Sequence, residues 1–130
     1  MRVKHFNLSV GSQIFKAFSD ESRIRIMHLL FKNKEMCISD LELILDFTQT
    51  KISRHLIYLK NVGLVTYRRL DQWTFYAVKD ELVDFIDVVM KYFEKNPELI
   101  NDMNTYKTLF SNRELAVNKI ERKNKKYQAK

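Results

Sequence analysis

Glycine and proline supply most of the backbone angles that end regular structure, and this chain of 130 residues has only two of the first and one of the second. A loop-rich or all-β fold needs many such turn positions. The scarcity therefore predicts a mainly α chain. Its length is that of one domain, and its 45% hydrophobic residues suffice for a core, although a domain of this size gains from a partner. No run of about 20 apolar residues is present, so no membrane partner is expected. The opening Met1-Arg2-Val3-Lys4-His5-Phe6 has no apolar stretch after its charges and does not read as a secretory signal. Cys37 is the single cysteine. That excludes an intramolecular disulfide framework and fits a reducing, cytoplasmic setting.

One of the two glycines closes the stretch that organises the chain. Thr48 is suited to cap a helix, because its hydroxyl accepts from an orphan N–H of the first turn, and Gly63 is suited to end one. Between them Ile52, Leu56, Leu59 and Val62 recur at helical spacing and form an inward stripe. Turning 100° per residue places Thr50, Lys51, Arg54, Asn61 and, less squarely, Ser53 opposite, with Gln49 at the N-terminal edge. Small, polar and cationic side chains crowded at a helix tip are what a helix in a DNA major groove needs, since amide, hydroxyl and guanidinium groups reach base edges and phosphates. A merely solvated helix face has the same polarity, so the neighbouring segments have to decide.

Upstream, Leu8, Ile14, Phe15 and Phe18 predict a first helix over about 8–18 with a large aromatic face. Asp20 caps a second helix reaching about Phe31, whose apolar face includes Ile24, Met27 and Leu30. His28 in this helix reads as structural rather than as a ligand. Asn33-Lys34-Glu35 reads as a turn. Ser39-Asp40-Leu41-Glu42 has the capping-box pattern, with Ser39 as N-cap and Glu42 reaching back, so a third helix is expected to run to about Leu45. After Gly63, the β-branched and aromatic runs 64–69 and 73–78 predict a β-hairpin around Leu70-Asp71-Gln72. The absence of Gly there favours a looser loop over a two-residue turn, and Trp73 reads as core. From Asp80 to about Lys95, Leu82, Phe85, Ile86, Val89, Met90 and Phe93 give a helix with an apolar face wider than one core contact needs. Pro97 separates it from a last apolar-patterned helix over 98–110.

The residues Ser19-Asp20-Glu21-Ser22-Arg23-Ile24-Arg25-Ile26, Glu35-Met36-Cys37-Ile38-Ser39-Asp40-Leu41, Thr48 to Leu56, Gly63-Leu64-Val65, Arg68-Arg69 and Trp73 to Tyr76 together resemble the winged helix-turn-helix of the ArsR/SmtB family of bacterial transcriptional repressors. The resemblance runs from about Ile14 to Val78 and keeps the family's order and spacing. It implies a mainly α fold with a small β-hairpin wing, while the last third of the chain exceeds the family's pattern and adds C-terminal helices. Residues 1–96 would be the DNA-binding and dimerisation domain, and 97–130 a helical extension with a basic tail. Gln49, Thr50, Ser53 and Arg54 would read bases. Lys51, Arg68 and Arg69 would hold phosphates, with Gln72 near the wing tip. Arg68 and Arg69 have an alternative use, keeping an edge strand soluble. The first and fifth helices would join two copies through Phe15, Phe18, Leu82, Phe85, Ile86, Val89 and Phe93. The two recognition helices would then meet an inverted repeat in double-stranded DNA.

Net charge is +7, but residues 113–130 hold seven Lys or Arg against two Glu, which leaves +2 for everything before them. Global basicity thus says little about the core, and the local placement of Lys51, Arg54, Arg68 and Arg69 says more. Many members of the family sense metals. One of its site types uses Cys-x-Cys at the start of the third helix, and here the motif is Cys37-Ile38-Ser39. One thiolate without a neighbouring thiol does not make a trigonal sulfur site. The other type needs Asp and His on the dimer helix, which offers Asp84, Asp87 and Glu94 but no His. No complete metal or metalloid site, and no cofactor, is therefore expected, and Cys37 remains a weak metal candidate. Gly-rich phosphate loops, a nucleophile elbow and His–Glu–His spacing are all missing, so an enzyme is not expected. Three rival readings stay open: a thiophilic-ion-responsive repressor using Cys37, a winged-helix protein-interaction module that no longer reads DNA, and a nonspecific nucleic-acid binder resting on the basic tail 113–130.

Overall fold

The computed structural model describes residues 5–116, 118 and 119. The elements are α1 (Leu8–Ala17), α2 (Glu21–Asn33), β1 (Glu35–Cys37), α3 (Ile38–Leu45), α4 (Gln49–Val62), β2 (Val65–Leu70), β3 (Trp73–Val78), α5 (Val83–Lys91) and α6 (Pro97–Ser111). A single 3₁₀ turn at Asp80–Leu82 leads into α5. The basic residues of the tail beyond Lys119 lie outside the described residues.

Most helix starts follow from local chemistry. Asn7, Asp20, Thr48 and Asn96 each accept from backbone N–H groups of the first turn, which satisfies donors that have no partner within the helix. Pro97 sits at the first helical position, where its missing N–H costs nothing. Gly63 ends α4 at φ 89°, a left-handed conformation that glycine adopts without strain.

α3 departs from the expected capping box. The helix begins at Ile38 with Cys37 in the cap position and no side-chain cap bond. The Ser39 hydroxyl instead meets the Cys37 thiol at 3.0 Å. Asp40 is 1% exposed and accepts from the backbone N–H of Ala116 at 2.7 Å. The Ser39 hydroxyl is thus engaged by a thiol two residues away, while Asp40 meets a partner 76 residues along the chain.

The residues after α2 also differ from expectation. Lys34 turns the chain at φ 69°, and Glu35–Cys37 then forms a short strand rather than loop. It pairs antiparallel with β3, so the wing supplies the central and one edge strand of a three-stranded sheet in the order β1-β3-β2. The hairpin closes tightly. Leu70 pairs with Trp73, which leaves Asp71 and Gln72 as a two-residue turn, and Asp71 takes φ 54°. Aspartate tolerates that region better than most residues, so the missing glycine did not force a longer loop.

The core lies where α2, α3, α4 and α5 meet over this sheet. Ile26, Met27, Leu29, Leu30, Leu41, Ile52, Leu56, Leu59, Leu64 and Ile86 are all 0% exposed. Each such side chain contributes about 1.5–3 kcal/mol by leaving water. The fifth helix is shorter than expected. It ends at Lys91, and the chain turns through 92–95 before α6. α6 packs against α2 and α3. Its Asp102, 1% exposed, accepts from both the Nε and a terminal nitrogen of Arg25 at 2.9 Å each.

Candidate nucleic-acid interface

α4 is held by its inner face and free on its outer one. Ile52, Leu56 and Leu59 are fully buried. Gln49, Thr50 and Arg54 are exposed and Ser53 is half-buried, and these four line one shallow hollow together with Ile57. All four predicted base-reading residues are thus brought onto one surface. Arg54 has no ion-pair partner among the described residues, so its guanidinium is available to a ligand. Ile57 was missed by sequence reasoning. It is 55% exposed, three residues beyond Arg54 and so beside it on the helix. Its signal was an apolar residue lying outside the inward stripe. In a groove such a side chain can meet a thymine methyl.

Two neighbours hold the tip in place. The Lys51 ammonium sits 3.8 Å from the centre of the Phe47 ring, and the Arg25 guanidinium sits 5.2 Å from the same ring. Lys51 is therefore half-buried and braced against the α3–α4 turn, with its charge still at the helix start. His55 faces inward at 7% exposure. Burial pushes its pKa down. The Asp20 carboxylate opposes that shift, and Arg23, Arg54 and Lys51 reinforce it. It is a packed residue of α4 and not part of the outer face.

The wing separates the two arginines that were expected to act together. Successive residues of a strand point to opposite faces. Arg68 pairs in register with Phe75, which in turn is opposite Cys37. Its Nε donates to Glu35 Oε2 at 2.9 Å and a terminal nitrogen donates to Oε1 at 2.6 Å. Arg68 is thus engaged on the side of the sheet away from α4, and Arg68 bonding lowers the Glu35 pKa while burial opposes it. This corrects the expectation that Arg68 is a free phosphate anchor. Arg69 shares its face with Tyr67 and Tyr76. Lys60 of α4 stacks on Tyr67 at 4.7 Å, so this is the face that adjoins α4. Arg69 is exposed there, as is Gln72 at the hairpin tip.

Cys37 is closed in. It is 2% exposed and packs with Phe75 and Ala116, flanked by Leu70 and Trp73. Burial raises its pKa, and the Ser39 hydrogen bond only partly offsets that. A buried thiol held protonated is a poor metal ligand or redox centre. Among the described residues no three His, Cys, Asp or Glu side chains gather. The donors present do not fit a thiophilic ion.

The expected dimer residues divide into two sets. Leu82 and Ile86, at 6% and 0% exposure, belong to the protomer's own core and are not surface. Phe15 is 66% exposed, and its ring meets Phe85 edge-on at 6.5 Å. Phe6 and Phe18 also meet Phe85, at 5.2 and 6.4 Å. Phe18, Phe85, Val89 and Phe93 are half-buried. The outward apolar positions include three that sequence reasoning did not select: Leu8, Val88 and Tyr92, at 93%, 55% and 87% exposure. Phe85 and Val88 on α5 and Tyr92 at its C-cap follow one another at helical spacing.

A helix-turn-helix with a free polar tip, flanked by a basic two-stranded wing, defines the winged helix-turn-helix class of transcriptional regulators. The model of bacterial regulatory proteins of the arsR family matches residues 20–67. Over 78 residues, 60% of this chain, it is 35% identical to the arsenic resistance transcriptional regulator ArsR1 of Pseudomonas putida, and the match spans 61% of that protein. It is 38% identical over 72 residues, 55% of this chain, to the arsenical resistance operon repressor of Bacillus subtilis, spanning 69% of the latter. The solved structure of HlyU from Vibrio cholerae superposes with a TM-score of 0.62 at 27% identity, covering 69% of this chain and 98% of that one. This chain belongs to the arsR family.

Proposed function

We propose that the protein is a homodimeric, cytoplasmic, sequence-specific repressor that binds an inverted repeat in double-stranded DNA. The observation that carries this reading is the outer face of α4, where Gln49, Thr50, Ser53 and Arg54 share one open surface with Ile57. An interaction module would be expected to present an apolar patch there. In this reading Arg54 donates to a guanine edge or a phosphate, the amide and hydroxyls sort the neighbouring bases, and Ile57 packs on a thymine methyl. Lys51 and Arg69 hold phosphates on either side. Dimerisation is supported by the apolar surface of α1 and α5, since exposed patches of this kind mark association sites. A cytoplasmic setting agrees with the absence, among the described residues, of a helix long and apolar enough to cross a membrane.

The names of the arsenic-resistance relatives suggest a metalloid signal. The buried Cys37 and its hydroxyl neighbour Ser39 speak against one at that position, so the signal in this reading is not a thiophilic ion held by Cys37. Selection of bound duplexes from a random library at physiological salt tests the reading. The expected result is an enriched inverted repeat with half-sites about one helical turn apart. Binding without enrichment that vanishes as salt rises would leave only the nonspecific electrostatic component and would overturn it.

A further inference from the structure

A cavity of about 290 Å³ opens between α2, α5 and α6. Two of its walls lie beyond the stretch matched to the arsR family. Met90, Leu99 and Met103 form an apolar floor, and Lys32 and Lys107 stand at the exposed mouth. Neither lysine has an ion-pair partner among the described residues. His28 also lines the cavity. It is 5% exposed, and its Nδ1 meets no hydrogen-bond partner. Glu94 and the Asn104 amide fill out the rim; one carboxylate against two lysines leaves the mouth net positive.

An apolar floor and a cationic mouth are complementary to one kind of molecule. We propose that this cavity binds a small organic anion, a carboxylate carried on a single aromatic ring or a short alkyl chain. The apolar body lies on Met90, Leu99 and Met103. The carboxylate accepts from the Lys32 and Lys107 ammonium groups at the mouth. The volume is at the small end for ligand sites, which excludes nucleotides and larger cofactors. A neutral molecule of the same shape leaves the lysines without a counter-charge, and a simple inorganic anion leaves the floor wet. Lipid and peptide partners are disfavoured by the enclosure on three sides by helices.

Calorimetric titration of the full chain with phenylacetate, benzoate and octanoate tests the proposal, with 2-phenylacetamide as the neutral counterpart. Binding is read without DNA, so the outcome is independent of whether the chain is a sequence-specific repressor. At least one of the acids is expected to saturate one site per chain, with the amide about tenfold weaker, as loss of a charge-assisted contact implies. Met103→Trp fills the cavity and is expected to abolish the heat. Lys107→Glu changes only an exposed side chain, and is expected to weaken the acid by about tenfold or more while leaving the helical circular dichroism unchanged. No binding by any of the three acids at 10 mM (about the weakest affinity that would matter) would overturn the proposal. So would equal affinity for the amide, or acid binding that survives Lys107→Glu at full strength.

Discussion

Helices α4 and α6 have 14 and 15 residues, and both start on a side-chain oxygen cap, yet they use their polar residues in opposite ways. α4 buries an apolar stripe and leaves its amide, hydroxyl and guanidinium groups facing outward. α6 turns Asp102 inward, where it grips Arg25 of α2 at two points. The residues that follow α6 return to the start of α3, where Ala116 donates to Asp40. One helix is arranged to meet a ligand, and the other is arranged to be held. A charged residue on a helix therefore has no fixed meaning. What decides it is whether the fold brings up a partner.

The sharpest break between the two faces of α4 comes from paired substitutions. Leu56→Ala removes a fully buried side chain and should cost about 2–5 kcal/mol of stability, read by urea denaturation. Arg54→Ala should leave stability within about 0.5 kcal/mol. Comparable losses from both would mean that Arg54 is a structural residue. In α6, Asp102→Ala strands Arg25 and should cost about 3 kcal/mol, the low end for a broken buried pair, because the Arg25 side chain keeps 25% exposure. Replacing both members with apolar residues, Arg25→Met with Asp102→Leu, should recover most of that loss. If the double variant is as unstable as the single one, the pair does more than satisfy itself.

The two wing arginines give a smaller contrast. Arg69→Ala should shallow the salt dependence of DNA binding by about one unit of slope, whereas Arg68→Ala should change it little. An equal change from both would restore Arg68 as a phosphate contact. The smallest effect concerns stability. Glu35 has its folded pKa lowered by Arg68, so the pair stabilises above the ordinary glutamate range, and that stabilisation fades as pH falls through the lowered value. Arg68→Ala should therefore cost under about 1 kcal/mol near neutrality, as for other exposed pairs, and nothing at strongly acidic pH. A cost that grew on acidification would contradict the assignment.

Helices were readable wherever a short-range signal was sufficient. Thr48 and Gly63 bracket α4 by their own chemistry, and Asp20 and Pro97 do the same for α2 and α6. The two strands of the hairpin followed from their β-branched and aromatic runs, but its tight turn did not, because Asp71 takes the positive φ for which a glycine was expected. The misses share a cause. β1 is three residues long and exists because β3 lies beside it. Ser39 lost its cap role to a neighbouring thiol, while Asp40 found a partner 76 residues away. Arg68 and Arg69 were expected to act together although strand periodicity sets them on opposite faces, and Glu35 as the partner of Arg68 was hidden because the two lie 33 positions apart. Leu82 and Ile86 read as interface because apolar spacing does not distinguish a protomer's own core from a surface for a second copy. Ile57 escaped because a search for polar groups passes over an exposed apolar one.

The central claim is that the outer face of α4 reads base pairs. Its most direct test is the affinity of wild type and Arg54→Ala for the selected consensus duplex and for every single-base-pair variant of one half-site. The expected result is a loss of about 1–3 kcal/mol on the consensus, with discrimination erased at one position and kept elsewhere. An Arg54→Ala protein that ranks every variant as wild type does would contradict the claim and assign base reading to another part of the surface.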